Sequence, residues 1–138
     1  MATTTLMIKP QTQVRSTQGD SVFFRIPRDK LLPAGLKRLK RLERYNKYKL
    51  DLFEAAQDAN FELPSDYFHV TFYIPFGKSA RKNFKLDNNM RPHRKMPDVD
   101  NLWKAFQDAL RKRDQVIWDV RATKVWIDHP TGYIQIEH

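Results

Sequence analysis

The sequence predicts a mixed α/β (α+β) fold, a single domain in which a small mixed sheet is packed by two principal helices. Apolar residues recur at helical spacing over 36–59 and again over 97–113, whereas over 67–76 they alternate with polar residues. Helices and strands are therefore interspersed along the chain. With 138 residues, 41% of them hydrophobic, the chain is long enough for one core and too short for two ordinary domains.

The first segments carry weak signals. Residues 1–20 are polar and rich in Thr and Gln, which predicts either a flexible, weakly ordered leader or a weak edge strand. Residues 21–26, SVFFRI, have the β-branched and aromatic content of a short strand. Over 36–59 the pattern predicts an amphipathic helix with a strongly basic outer face. Its predicted apolar face comprises Leu36, Leu39, Leu42, Leu50, Phe53 and Ala56.

A strand and a long basic segment follow. Residues 67–76 predict a strand that places Phe68, Val70, Phe72 and Ile74 on one face. Residues 77–96 have few apolar side chains and no sustained period, which predicts a loop, and loops of that length in small domains are usually functional or disordered. The segment contains a single acid and seven cations. The cations are Lys78, Arg81, Lys82, Lys85, Arg91, Arg94 and Lys95.

The C-terminal part predicts a second helix and further strands. Pro97 begins a helix that runs to about residue 113, since proline is favoured in the first helical turn. Its apolar stripe comprises Val99, Leu102, Trp103, Phe106, Ala109 and Leu110. Residues 116–127 predict one bent strand or two short ones, and Tyr133–Glu137 alternates as a final strand. We interpret Trp103 and Trp126 as core residues.

Composition narrows the function classes. Twenty-five Lys and Arg against 16 Asp and Glu give a net charge of +9, which predicts attraction to polyanions. Nucleic acid is the commonest such partner, and charge alone leaves acidic membranes and acidic proteins open. The absence of cysteine excludes disulfides, thiolate zinc sites and cysteine nucleophiles. Without a signal peptide or a long apolar run, we expect an intracellular protein.

The strongest chemical signal lies where the basic segment meets the second helix. Asp98 and Asp100 can face one ion if Asp98 lies in the non-helical lead-in and Asp100 in the first turn, because residues i and i+2 point about 200° apart within a helix. Lys104 follows on the face of Asp100, and Asp119 lies in the apolar stretch VIWDV. Three carboxylates suit Mg²⁺, which prefers oxygen ligands.

Structural interpretations of the same residues stay open. Acids at a helix start cap it and complement its dipole, and Asp100 with Lys104 is an ordinary surface ion pair worth roughly 0.3–0.5 kcal/mol. Phe84 either stacks on an unpaired base or anchors its loop. His93 either contacts phosphate or metal-bound water or, as we favour, is solvent-exposed without a role. The cations over 36–49 either contact phosphates or form a solvated face.

The stretch PDVDNLWKAFQDAL, with an acid further on at Asp119, resembles the core of the RusA-type Holliday-junction resolvases. The resemblance covers about residues 66–137. The shared features are a D-x-D-N at a helix start, a lysine four residues after its second Asp, a D-A-L near the helix end and an Asp in the next strand. The matching residues are Asp98, Asp100, Asn101, Lys104, Asp108, Ala109, Leu110 and Asp119. Two departures are Trp118, where a second acid commonly stands, and the continuation Val120-Arg121.

The resemblance implies a small homodimeric endodeoxyribonuclease that uses Mg²⁺ (or Mn²⁺) to cut four-way DNA junctions by paired symmetric nicks, in DNA recombination and repair. It implies a cytoplasmic protein of a prokaryote or phage. Asp98, Asp100 and Asp119 would be the metal ligands, and Lys104 would match the catalytic lysine. The cations of residues 77–96 would bind DNA phosphates without reading bases.

Two acids are left outside the predicted site. Asp108 lies one turn beyond Lys104 on the same helix face and is interpreted as a residue that ties the helix down. Asp114 is interpreted as a turn residue. The competing functional hypothesis is a non-catalytic module that binds branched or single-stranded DNA and whose acids only cap the helix.

Overall fold

The centre of the protein is a mixed sheet of strands β1 (Thr3–Leu6), β2 (Phe68–Pro75), β3 (Val120–Ile127) and β4 (Tyr133–Glu137). The computed structural model describes residues 2–14, 20–64, 66–110 and 116–138. Within these residues the strand order is β1–β4–β2–β3. β4 pairs antiparallel with both neighbours, and β2 pairs parallel with β3. The predicted mixed α+β class is confirmed.

The strands form where the alternation predicted them. The buried face of β2 carries the four apolar residues expected from its sequence, and β4 alternates in the same way. Thr3–Leu6 forms an edge strand on β4, and Leu6 is fully enclosed. The β-prone stretch after residue 115 forms the single strand β3, which starts at Val120. Residues 15–19 of the predicted leader lie outside the described residues.

Two long helices cover the buried face of the sheet. They are α2 (Pro33–Asp58) and α4 (Val99–Leu110), and both contribute to one hydrophobic core with β1, β2 and β4. The rings of Phe72 and Phe106 meet edge to face at 6.0 Å between centroids, which joins β2 to α4. Both helices were predicted, although α4 begins two residues after Pro97. Residues 111–113 of its predicted end lie outside the described residues, as does Asp114.

The buried stripe of α2 differs from the prediction. Leu50 is 54% exposed, whereas Tyr45 and Tyr48 are buried in the core. The Tyr45 hydroxyl donates a 2.8 Å hydrogen bond to the Asp108 carboxylate, so the ring can be buried while its polar end is satisfied. The predicted stripe omitted the two tyrosines and included Leu50, so it placed the buried face of this helix at a different angle.

The prediction of a strand over 21–26 is wrong. Residues Asp20–Arg25 form helix α1, followed by a short 3₁₀ turn at Arg28–Lys30. Asp20 is buried and accepts two hydrogen bonds from Arg38 of α2, at 3.1 and 2.9 Å. This charge-assisted pair holds the segment against α2, and local β-propensity gives way to that tertiary contact.

The prediction that residues 77–96 form a loop without regular structure is wrong in part. Lys82–Asn88 form helix α3. Residues 90–93 then run antiparallel along the outer edge of β3, with a bridge between Pro92 and Val125. The backbone hydrogen bonds are Met90 N to Trp126 O, Trp126 N to Arg91 O, and His93 N to Lys124 O, at 2.9 to 3.1 Å. The basic segment is thus attached to the sheet rather than projecting from it.

A second aromatic cluster fixes this segment. Trp126, expected in the main core, instead stacks on Phe76 with ring centroids 4.9 Å apart, and Phe84 of α3 packs edge-on against both rings. Phe84 therefore anchors the segment. His93 lies against Trp126 at 4.1 Å and is only 4% exposed, so the expectation of an exposed histidine is wrong. Trp103 packs at the margin of the main core.

No helix in the described part of the chain combines the length and apolar character that a membrane crossing requires.

Candidate active site

The D-x-D motif lies at the start of α4, with Asp98 directly before the helix and Asp100 within it. The Asp98 carbonyl accepts the first helical hydrogen bond, from Leu102 N at 3.1 Å, while Asp98 itself lies outside the helix. Asp98 therefore occupies the N-cap position, and Asp100 lies in the first turn. The chain leaves the regular helix between the two acids, so the 200° separation of i and i+2 does not apply to them.

The side chains of these acids are not engaged in structure. Among the described residues, neither carboxylate accepts a hydrogen bond, so the Asp98 side chain does not cap the helix. Asp100 is 65% exposed, and its nearest cation is Lys104 Nζ at 3.8 Å. A pair that exposed and that long contributes little to folding. Both carboxylates thus keep their oxygens available for a ligand.

The lead-in to this motif is held by a lysine that the sequence analysis did not single out. Lys124 of β3 donates from Nζ to the carbonyls of Lys95 and Pro97, the latter at 2.6 Å. A hydrogen bond from an ammonium to a carbonyl is stronger than a neutral one. Lys124 therefore fixes the backbone directly before Asp98. Lys124 is one of several lysines in the chain and lies in a strand, so nothing in the sequence indicated this role.

The third predicted acid lies on another element. Asp119 is half-buried and immediately precedes β3, beside Trp118, which is 72% exposed. Val120 is in register with Phe68, whose ring lies 5.8 Å from that of Trp103 on α4. The start of β3 therefore lies at the end of the sheet against which the first half of α4, with Lys104, packs.

The three acids do not come together in one cluster. Within the described ranges, no group of three or more His, Asp or Glu side chains lies close enough to hold a metal ion. Mg²⁺ is commonly bound by one or two carboxylates and completes its shell with water and substrate phosphates. The exposed, unbonded carboxylates at the start of α4 fit such a site, whereas Asp119 is not joined to them here.

Asp108 has a structural task at the other end of α4. Its Oδ2 accepts hydrogen bonds from the Tyr45 hydroxyl and the Gln13 amide, both at 2.8 Å. Burial and this carboxylate raise the pKa of Tyr45, so the phenol stays a donor. Asp108 therefore ties α4 to α2 and to the N-terminal segment, as interpreted from the sequence.

The cations of the basic segment surround the attached stretch of chain. Arg81 precedes α3, two lysines lie on that helix, and Arg91, Arg94 and Lys95 lie along the edge of β3 and just beyond it. Six of the seven predicted DNA-binding residues are exposed, and Lys85 is half-buried. Lys95 lies 5.4 Å above the Phe84 ring. The segment therefore presents cations on an anchored surface that leads directly to Asp98.

Among the described residues, two further histidines have structural contacts only. His69 lies within 2.9 Å of Thr123 Oγ1 on the sheet surface, and His129 Nδ1 accepts hydrogen bonds from the backbone of residues 131 and 132 in the turn before β4. Neither histidine is close in sequence to Asp98 or Asp100.

A comparison with models of protein families places the chain in a family. The family model described as endodeoxyribonuclease RusA matches residues 31–137, from the start of α2 to the end of β4. This range includes every predicted site residue and extends well before residue 66, where the motif resemblance began. No curated protein and no solved structure matches the chain.

Proposed function

The chain belongs to the RusA endodeoxyribonuclease family, and from that premise we propose that it is a metal-dependent nuclease that resolves four-way DNA junctions by paired symmetric nicks, in DNA recombination and repair in the cytoplasm. The observation that carries the proposal is the pair of unbonded carboxylates at the start of α4, next to an anchored basic surface. Neither acid accepts a hydrogen bond among the described residues, so their structural contribution is limited to the helix dipole and one long, exposed ion pair.

The proposed ligands are Asp98 and Asp100, with Asp119 completing the set once DNA and metal are bound. A bound Mg²⁺ or Mn²⁺ would polarise the scissile phosphate and lower the pKa of a water molecule. Because Lys124 holds the backbone of residues 95 and 97, it orients Asp98 before any ligand arrives. Preorganised carboxylates avoid the reorganisation that a mobile loop would need.

Lys104 is proposed to act on the phosphate itself. Its ammonium lies on the face of Asp100, 3.8 Å away, and is 42% exposed. A fixed positive charge at that distance would stabilise the charge that develops on the phosphate oxygens during hydrolysis. It also offsets the repulsion between two carboxylates and a polyanion.

The seven cations of residues 77–96 are proposed to hold the DNA backbone. Their attachment to β3 sets them at a fixed position relative to the acids, so phosphate contacts there would place one phosphodiester at the motif. Such contacts give salt-sensitive binding without base readout. A homodimer would present two such sites, which suits the approximate two-fold symmetry of a junction.

The proposal is tested by cleavage of an end-labelled four-way junction and of its linear arms, in Mg²⁺, in Mn²⁺ and in EDTA. We expect paired nicks on the junction alone, dependent on metal and lost in Asp100→Asn, with junction binding retained. Monomeric protein in solution scattering, with and without DNA, would contradict the dimer.

The non-catalytic DNA-binding module is the second candidate, favoured by the absence of a three-ligand cluster among the described residues. It predicts tight junction binding without cuts in either metal, and Asp100→Asn would then keep or raise the affinity and change nothing else. Trp118, which stands in place of a second acid, would be the first residue to exchange for Asp in that case.

A further inference from the structure

A cleft of about 490 Å³ adjoins the start of α4 on the side of α2. Its walls come from the N-terminal segment 9–14, from the middle of α2 and from Pro97, the residue directly before Asp98. The N-terminal wall is fixed to α4 by Gln13, whose backbone N–H donates to Asn101 O at 3.2 Å and whose amide donates to Asp108. The cleft is thus a built feature beside the candidate active site.

Three cations line the cleft and no described carboxylate does. They are Lys9, Arg41 and Arg44. Two other cations of α2 form ion pairs, Arg38 with Asp20 and Lys47 with Asp51. In the described part of the chain, by contrast, neither Arg41 nor Arg44 forms an ion pair.

The cations of the cleft repel one another and attract an anion. Arg41 and Arg44 are three residues apart on one helix face, where like charges repel. Concave walls with cations of one sign concentrate the field and attract anions. Two guanidinium groups also present the planar donor geometry that matches phosphate oxygens.

We propose that this cleft seats a backbone phosphate of the DNA strand next to the scissile position. The inference rests on the proposed function for its place along the DNA, and it extends the DNA path beyond the basic segment of residues 77–96. Pro97 lines the cleft. The Lys124 ammonium donates both to the Pro97 carbonyl and to the carbonyl of Lys95, which belongs to that segment. The strand would therefore cross the D-x-D motif between two cationic surfaces, one on each side of residue 97.

The test compares two charge-matched double variants in the full chain that carries Asp100→Asn, so that binding is measured without cutting. The cleft variant is Arg41→Gln/Arg44→Gln. The control is Lys37→Gln/Lys40→Gln, which removes two charges from exposed positions of the same helix outside the cleft. Glutamine keeps a helix propensity close to that of Arg and Lys, so both variants should fold, which circular dichroism would verify.

Two readouts are taken on a labelled four-way junction. The slope of log affinity against log salt should fall by about 0.9 in the cleft variant, the contribution of one phosphate contact. In the control it should change by much less. Phosphate-ethylation interference should disappear at discrete phosphates beside the nick position in the cleft variant alone.

Equal slopes and identical interference patterns in the two double variants would overturn the inference, while cleavage by the unsubstituted chain would still support the nuclease. Conversely, consider the case in which the unsubstituted chain fails to cut while the cleft variant still loses interference at discrete phosphates. That result would support the phosphate cleft and refute the nuclease. Competition by a free nucleoside monophosphate at concentrations near those of the junction would show a mononucleotide site and so overturn the assignment to the DNA backbone.

Discussion

Each end of α4 carries an aspartate, and the two differ in whether the carboxylate is hydrogen-bonded to other residues that the structure describes. Asp108, near the last turn, accepts two 2.8 Å hydrogen bonds from two other elements. Asp100, in the first turn, accepts none among the described residues and is 65% exposed. Both acids belong to the same resolvase-like motif, so motif membership alone does not distinguish a structural carboxylate from one available to a ligand.

The difference follows from what surrounds each end. The last turn lies between α2 and the N-terminal segment, where Tyr45 brings a hydroxyl that must be satisfied once its ring is buried. The first turn follows a backbone that Lys124 fixes from the side of β3, and the ion pair of Asp100 is the exposed one with Lys104. A backbone held firmly beneath carboxylates that accept no hydrogen bond among the described residues supports the proposal that these acids bind a ligand.

The largest expected effect separates the two ends by matched substitutions. Asp100→Asn should lower the junction cleavage rate on the order of a thousandfold, because it forfeits several kcal/mol of transition-state stabilisation, and should leave the melting temperature unchanged. Asp108→Asn should retain most of the rate at low temperature. Single-turnover cleavage and thermal melting of both variants check this. Similar losses of rate in the two variants would abolish the distinction between the two ends.

Lys104, like Asp100, is expected to affect the cleavage rate rather than the stability. Lys104→Gln should lower the cleavage rate about a hundredfold, as for the loss of one fixed electrostatic group. It should change the free energy of unfolding by less than about 0.5 kcal/mol, because its ion pair is exposed and long. Lys104→Arg should restore part of the rate. Cleavage at saturating junction measures the first effect and urea unfolding the second, and a large loss of stability would contradict the assignment.

Asp108 is expected to matter for stability. Asp108→Ala leaves the buried Tyr45 hydroxyl without its acceptor, which should lower the free energy of unfolding by about 1–3 kcal/mol. Tyr45→Phe is the matched control, since the double variant should lose less than the sum of the two single changes. Urea unfolding of the three variants gives the coupling between these residues. Strict additivity would show that the hydrogen bond contributes nothing.

The sequence predicted those parts of the molecule that depend on local periodicity. The alternation of β2 and the helical stripe of α4 both place in the core the residues that are buried there. Helix geometry also gave the condition under which Asp98 and Asp100 could face one ion, with Asp98 in a lead-in and Asp100 in the first turn, and the structure places the two residues there.

The errors arose where a distant residue decides the local structure. The segment 21–26 has strand-like composition, yet Arg38 holds its start against α2 as a helix. His93 lies among cations in the sequence, yet the pairing of its segment with β3 buries it against Trp126. Lys124 acts on a backbone 27 residues away. No window along the chain contains both partners of such a contact, so periodicity could not reveal them.

The smallest expected effect is a pH dependence of stability caused by His93, in the segment that precedes α4. His93 is buried on the strand-like stretch that leads to Lys95, its Nδ1 has no partner among the described residues, and its backbone N–H bonds to Lys124 O. Burial lowers the pKa of His93, and the charges of Lys124 and Lys95 lower it further. The unfolded chain therefore binds this proton at a higher pH than the folded chain does.

Stability must accordingly fall as the pH drops below about 6.5, the ordinary pKa of histidine, until the folded-state pKa is reached. His93→Phe keeps a ring against Trp126 and removes the proton, so it should flatten the pH dependence of the free energy of unfolding between pH 7.5 and 5.5. The other histidines and the carboxylates are common to both chains and cancel in the difference. Parallel pH profiles for the two chains would mean that His93 is protonated alike when folded and unfolded. The attachment of residues 90–93 to β3 would then tolerate a buried charge directly beside Lys124, and the lead-in to Asp98 would be more open to water than its contacts indicate.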